Sequence, residues 1–337
     1  MMETLIYEKL DKKRVKCHIC HHFCVIKDGK RGICSVRENQ DGRLYSLVYP
    51  KVIATSIDPI EKKPLFHLKP GSSSYSIATV GCNFKCSFCQ NADIAQMPSD
   101  YDGLIQGRDF SPEAIVKETI KSGCDSISYT YTEPTVFFEL ALETARLAKN
   151  QGLLNIFVTN GYMSTRALEM IAPYLDAANV DLKAFNDKFY QTYCKARLEP
   201  VKNTIKKMKN LGILVEITTL LIPGLNDAED DIQAMADYIA NDLGCETPWH
   251  ISRFHPCYNM MDRPATPVLT LEKAYKAGKA AGLRYVYIGN VAGQSSENTY
   301  CHSCNALLVR RAGYQIKNFL LKQGKCPECN TIAYGIY

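Results

Sequence analysis

The sequence has 337 residues, 46% hydrophobic and 22% charged, ordinary globular values that exclude a fibrous or disordered design and allow one large domain with appendages or two domains. A net charge of +5 from 40 basic and 35 acidic residues is too mild, and the basic residues too scattered, to argue for nucleic-acid binding. No run is apolar enough to span a bilayer, and Met1-Met2-Glu3-Thr4 lacks the basic start and apolar middle of a signal peptide, so a cytoplasmic setting is expected.

Fifteen cysteines are many for this length, and eleven fall into three local groups: Cys17, Cys20, Cys24, Cys34; Cys82, Cys86, Cys89; and Cys301, Cys304, Cys326, Cys329. Close spacing of this kind suits metal sites better than a disulfide framework in a chain this large. Cys124, Cys194, Cys245 and Cys257 stand alone and are expected to be buried structural thiols.

Residues 1–70 form a first region built on Cys17-x-x-Cys20-His21-His22-Phe23-Cys24, closed by Cys34 after the turn-rich Lys27-Asp28-Gly29-Lys30-Arg31-Gly32. Four cysteines complete a tetrahedral thiolate site, and so small a segment needs such a staple to order itself. Structural zinc is the first reading and an auxiliary iron–sulfur cluster the second, because spacing alone does not separate the two metals. His18, His21 and His22 are further potential ligands, read more simply as solvated side chains. Leu44 to Tyr49 alternates like a strand, and Asp58 to Leu65 reads as a connecting turn.

Residues 71–294 alternate strand-like and helix-like segments. Strands are expected at 75–80, 126–131, 154–159, 178–182, 214–220, 249–254 and 285–289. Ser111-Pro112-Glu113 signals a helix start, and Asn226-Asp227-Ala228-Glu229 before Ile232 resembles a capping box. Such alternation predicts parallel strands joined by right-handed crossovers, hence a full or partial α/β barrel or an open doubly wound sheet. Ligands then gather at the C-terminal strand ends.

The first of those ends carries Gly81-Cys82-Asn83-Phe84-Lys85-Cys86-Ser87-Phe88-Cys89. Three thiolates on a four-iron cubane leave one iron without a protein ligand, and Phe84 and Phe88 are placed to shield it. The other ends carry Thr130 to Pro134, Thr159-Asn160-Gly161, Asp181-Leu182-Lys183, Ile222-Pro223-Gly224, Phe254-His255-Pro256 and Gly289-Asn290. A ligand that chelates the free iron through amino and carboxylate groups calls for an acid and a cation, which Glu133 and Lys183 supply. Asn160, Asp181 and His255 then suit ribose or carboxylate oxygens, and the backbone around Ile222–Gly224 and 289–291 suits a flat base.

Residues 295–337 change character again. Cys301-x-x-Cys304 and Cys326-x-x-Cys329 have the spacing of a zinc ribbon. Tyr314-Gln315-Ile316 and Ala333-Tyr334-Gly335-Ile336 are its expected short strands. A structural or partner-docking module is the reading.

The Cys82-x-x-x-Cys86-x-x-Cys89 loop after a first strand, followed by a parallel array with polar strand ends, resembles the radical S-adenosylmethionine (SAM) superfamily. That resemblance, over roughly Tyr75 to Val291, implies a partial (β/α) barrel. It also implies a [4Fe-4S] cluster on the three cysteines, SAM chelating the fourth iron, and reductive cleavage of SAM to a 5′-deoxyadenosyl radical that abstracts hydrogen from a substrate. Phe88 sits where the superfamily carries an aromatic residue over SAM, and Glu133 takes the place of its Gly-Gly-Glu acid near the SAM amine. Thr159-Asn160-Gly161, Asp181-Leu182-Lys183, Ile222-Pro223-Gly224 and His255 are similar to motifs of the glycyl-radical-enzyme activases, such as the pyruvate formate-lyase activating enzymes. Tyr131 and Thr132 replace the two glycines, and Val158 stands where activases have an acid. The N-terminal cysteines, Ser128 to Pro134 and the C-terminal knuckles together resemble the AmmeMemoRadiSam radical SAM proteins. The resemblance implies an oxidoreductase served by an electron donor such as flavodoxin or ferredoxin and a protein residue as one class of substrate; zinc, read from the spacing of the outer cysteines, is the further cofactor expected. The reading from another class is a non-catalytic zinc-bearing protein- or RNA-binding module.

Overall fold

The computed structural model describes residues 1–291 and 295–337; the expected boundary at residue 294 lies outside the described residues. The central sheet has eight strands: β1 Ala54–Pro59, β2 Ser73–Ala78, β3 Ser126–Tyr129, β4 Leu154–Thr159, β5 Ala177–Asp181, β6 Leu214–Leu221, β7 Trp249–Arg253 and β8 Val286–Gly289. They lie side by side in chain order. β2 to β8 run parallel and β1 pairs antiparallel with β2. No ladder joins β1 to β8 among the described residues, so the sheet is a partial barrel with helices between its strands.

These helices are α1 Pro112–Lys121, α2 Phe138–Asn150, α3 Thr165–Ile171, α4 Leu198–Asn210, α5 Glu229–Tyr238 and α6 Val268–Ala280. The strands are buried along most of their length, every residue of β3 included, as expected of parallel strands covered on both faces. Leu198, Val201, Ile205 and Met208 put one apolar stripe of α4 into the core.

Strand positions agree with the sequence reading to within two residues at each end. Ser111 caps α1, its Oγ accepting from the Ala114 amide at 3.3 Å, with Pro112 in the first turn. The expected capping box does not form. α5 starts after Ala228 without a side-chain cap, because Asn226 and Asp227 accept instead from the Ile222 and Gly224 amides of the preceding turn, at 2.6 and 2.7 Å. The segment at Asp58, read as a turn, is the end of β1. Its alternation is hidden because this edge strand is only partly buried.

The N-terminal region holds two small antiparallel sheets, one of Met2–Glu3, Arg37–Gln40 and Arg43–Ser46, the other of Tyr7–Lys9, Val15–Cys17 and Val25–Ile26. Arg37, 2% exposed, fastens the first to α2 through a two-pronged ion pair with Glu139 at 2.9 and 2.7 Å. Removing one partner of such a pair leaves a buried charge uncompensated.

The C-terminal segment forms a sheet of Thr299–Tyr300, Leu307–Ala312 and Gln315–Phe319. The strand expected at 333–336 makes one isolated bridge, which joins Ile336 to Leu68. Its backbone is used to dock on the barrel: Lys69 N donates to Ile336 O at 2.6 Å and Ile336 N to His67 O at 2.8 Å. The buried Arg311 guanidinium lies 4.1 Å from the Phe66 ring centroid and donates to Phe66 O at 2.9 Å. His67 is fully buried. Its Nδ1 meets the Tyr334 carbonyl at 2.6 Å and its Nε2 the Tyr287 hydroxyl at 2.7 Å. A carbonyl can only accept, so Nδ1 carries the proton and Nε2 accepts.

Burial pushes the His67 imidazole down from 6.5 to about 4. The unfolded chain therefore binds a proton in a window where the folded one does not. Stability from this group is complete above about 6.5 and is lost as pH falls toward 4, a change on the order of 3 kcal/mol. We expect the urea midpoint to fall less between pH 7 and pH 4 in His67→Gln than in the wild type; equal falls would remove His67 as the cause.

Candidate active site

The C-terminal ends of the parallel strands surround a cavity of about 490 Å³, lined by Cys82, Cys86, Cys89, Phe88, Thr130, Glu133, Asn160, Asp181, Lys183, Leu220, Ser252 and Asn290. The cysteine loop that follows β2 is braced by the backbone of a turn at residues 190–194, with Lys85 N donating to Cys194 O at 2.9 Å and Ser87 N to Tyr193 O at 3.0 Å. On its other side Gly81, at φ +97°, lets the loop lie close against the N-terminal region. A Cβ there would stand 2.4 Å from Val36 Cγ1 and 3.2 Å from the Cys34 carbonyl.

The three thiols suit a cationic core. Burial, with Glu133 and Cys86 nearby, pushes Cys82 up; a hydrogen bond with Cys194, then burial, pushes Cys86 up; burial raises Cys89 to about 11. Thiolates are disfavoured here unless a metal neutralises them. The three do not draw together as around a single ion. Among the described residues, only Cys301, Cys304, Cys326 and Cys329 form a group whose ligand atoms all lie within 4.8 Å of one another.

Glu133 is 2% exposed. Its carboxylate accepts from Thr135 N at 3.0 Å, Thr159 Oγ1 at 2.8 Å and Asn160 N at 2.8 Å, and also from the Thr135 hydroxyl. Burial nonetheless raises its pKa. The acid thus ties the end of β3 to the end of β4. Asn160 Nδ2 in turn donates to Asn83 Oδ1 at 2.7 Å, next to Cys82. Asp181 and Lys183 form an ion pair at 2.8 Å, with the Lys183 ammonium 5.8 Å from the Phe88 ring centroid. Burial alone would lower the Lys183 pKa, but the charges of Asp181, Cys86 and Cys194 raise it.

Five of the six expected ligand-contacting residues therefore share one cavity. His255 is exposed and lies outside its lining, because the chain turns away after Phe254 buries. Backbone from Ile222 to Gly224 is also outside it. The sequence reading missed Asn83, although it lies inside the cysteine loop; Cys194 is a buried thiol as expected, and it neighbours Cys86. The reading missed the rim as well. There Asp58 accepts from Lys62 at 2.8 Å, Lys63 at 2.6 Å and Ser76 at 2.7 Å, and from the Tyr131 hydroxyl. Burial would raise the Asp58 carboxyl, but these hydrogen bonds hold it well below the usual carboxylate range. Lys62, Lys63 and Tyr314 border the mouth of the cavity.

The outer cysteine sets lie elsewhere. Cys17, Cys20, Cys24 and Cys34 line a separate small void. In the C-terminal set, Cys301 and Cys329 Sγ are 3.6 Å apart, as are those of Cys304 and Cys326.

A partial barrel with three cysteines on the loop after its first parallel strand defines a class, and residues 76–239 match the family model described as the Radical SAM superfamily. The chain belongs to the radical SAM superfamily, in which three cysteines hold a [4Fe-4S] cluster and SAM binds its fourth iron. It is similar over almost its whole length to the Methanocaldococcus jannaschii protein named Uncharacterized protein MJ0808, 47% identical over 98% of both chains. The Clostridium pasteurianum pyruvate formate-lyase-activating enzyme is 24% identical, over 48% of this chain and 67% of that one. Among solved structures, a radical SAM methyltransferase from Sphaerobacter thermophilus shares the fold, with a TM-score of 0.51, 16% identity and 71% of each chain covered. No helix among the described residues is long and apolar enough to cross a membrane.

Gly161 gives a test of the strand-end framework. At φ +70° it keeps its Cα 's missing Cβ position 2.8 Å from Val180 Cγ1 and 3.2 Å from Val201 Cγ1. Gly161→Ala is expected to cost about 1–3 kcal/mol in urea unfolding. A neutral result would show that this backbone is free to shift.

Proposed function

We propose that the chain cleaves SAM reductively at a cluster held by Cys82, Cys86 and Cys89 and takes hydrogen from a residue of a protein substrate, as a glycyl-radical activase does. The observation that carries the reading is the single cavity in which three thiols, the Asp181–Lys183 pair, Glu133 and Phe88 face one volume. When bound, the cluster and SAM supply the one-electron reductive cleavage. The protein's part is to hold and orient. Lys183 offers an ammonium to the SAM carboxylate while Asp181 keeps it charged and placed. Glu133, with its oxygens already turned to Thr135, Thr159 and Asn160, presents negative charge near the SAM amine and keeps Asn160 in position for ribose or carboxylate oxygens. Phe88, 4% exposed, forms an apolar wall. A cavity of about 490 Å³ lies in the range that one drug-sized ligand fills. Similarity to the Clostridium pasteurianum pyruvate formate-lyase-activating enzyme, whose name gives another enzyme as its target, favours a protein residue as the substrate. A ferredoxin- or flavodoxin-type carrier supplies the electron.

Two outcomes are expected. The Cys82→Ala/Cys86→Ala/Cys89→Ala protein, reconstituted anaerobically, should form no 5′-deoxyadenosine from SAM and a strong reductant; undiminished formation would sink the proposal. Lys183→Met should weaken SAM binding by tenfold or more in equilibrium dialysis, about 1.4 kcal/mol or more, without changing the iron content. Mixing the reduced enzyme and SAM with a glycyl-radical enzyme and recording its paramagnetic resonance spectrum tests the substrate class.

We also propose zinc at Cys301, Cys304, Cys326 and Cys329. A zinc–sulfur bond of about 2.3 Å implies a tetrahedral sulfur–sulfur edge of about 3.8 Å, close to the 3.6 Å separations seen. One zinc per chain, retained in the triple-alanine protein, is the expected metal count.

A further inference from the structure

The N-terminal quartet is more open than the C-terminal one. In the C-terminal set all four Sγ atoms lie within 4.8 Å of one another, and no three of Cys17, Cys20, Cys24 and Cys34 meet that limit, although all four are described. They converge nonetheless, lining one void of about 20 Å³, where about 10–15 Å³ already holds a water. All four are free thiols, so disulfides do not account for the convergence. Four thiols that surround a space without closing on each other fit a ligand larger than one ion. An iron–sulfur core puts metal atoms and sulfides between its thiolates, so the ligand sulfurs stand farther apart than around a single zinc. The molecule carries its own standard for this. Cys82, Cys86 and Cys89, the cluster ligands of the superfamily, likewise fall outside the 4.8 Å group.

The walls agree. Ile19, Ile26 and Val136 supply apolar cover, and Asn83 lines the same void. Asn83 is 1% exposed, and its Oδ1 accepts from Asn160, which leaves Nδ2 as a buried donor with no partner. An orphaned donor beside a void calls for an acceptor within it. Thiolate sulfurs around any metal held here are such acceptors, and an iron–sulfur core adds its sulfides to them.

We propose that Cys17, Cys20, Cys24 and Cys34 bind a second [4Fe-4S] cluster, not zinc, set against the back of the loop that carries the first. The closeness is given by contacts. Gly81 packs on the Cys34 carbonyl, His22 Nε2 lies 2.8 Å from Asn83 O, and Asn83 adjoins Cys82. Cys20, Cys24 and Cys34 are only half buried, so an external carrier can reach this edge. The exchange is one electron: a reduced ferredoxin- or flavodoxin-type carrier is oxidised as the N-terminal cluster is reduced, with no bond made or broken.

Metal content of the full chain tests this independently of SAM turnover. After anaerobic reconstitution with iron and sulfide, the Cys82→Ala/Cys86→Ala/Cys89→Ala protein should keep about four irons and four sulfides and give, on reduction, a paramagnetic signal that SAM does not change. Adding Cys17→Ser and Cys34→Ser should remove that iron and leave the C-terminal zinc in place. Two zincs and no iron in the triple-alanine protein would overturn the proposal. Should that protein not fold, the wild type decides. About eight irons and one zinc support the second cluster, and about four irons and two zincs refute it. Loss of SAM cleavage with iron retained at the N-terminal site bears on the proposed activity alone.

Discussion

One buried carboxylate holds the centre of this molecule together. Glu133 would be costly in so dry a place without partners, and it finds them at the end of the neighbouring strand, in Thr159 Oγ1 and Asn160 N. Asn160 is thereby placed to grip Asn83, and Asn83 lies between the cavity that holds Cys82 and the void that holds the N-terminal cysteines. His22 then binds the Asn83 carbonyl from the N-terminal side. A line of hydrogen bonds thus runs from β3 through β4 and the cysteine loop to the first forty residues of the chain. Each link uses up donors and acceptors that burial would otherwise penalise, so the parts of the site cannot easily move independently.

The two flanking regions are fastened by different physics. The N-terminal sheets are joined to the barrel by the Arg37–Glu139 pair and by backbone pairing of Cys20 with Met163. These contacts press the N-terminal cysteine knuckle against the loop after β4. The C-terminal segment is held by Arg311 against Phe66 and by the neutral His67 between Tyr287 and Tyr334. Through that docking Tyr314 reaches the mouth of the cavity. The three cysteine groups are accordingly three devices: one open triad in the cavity, one wide quartet behind it, and one tight quartet in the C-terminal segment.

The alternation of strands and helices, the parallel sheet and the place of the ligand face were legible in the sequence, because buried parallel strands are short apolar runs and their loops carry the polar residues. The Cys82, Cys86 and Cys89 loop was legible for the same local reason. The edge strand β1 was not, since its residues are only partly buried and its end carries the turn-like Asp58-Pro59. The capping box at Asn226 failed because two side chains found nearer backbone donors in the preceding turn.

Local order of residues therefore determined which side chains stand at strand ends, and with them Phe88, Glu133, Asn160, Asp181 and Lys183. It could not exclude His255, whose exposure depends on how Phe254 packs, nor reveal Asn83, whose role arises from distant segments folded against the cysteine loop. The spacing of cysteines along the chain is nearly the same in metal knuckles of different kinds. The separation of their sulfurs in space distinguishes a closed single-ion site from a wider one, and that separation is set by the strands and turns on which each cysteine sits. Sequence could place the ligands; tertiary packing decided how far apart they stand.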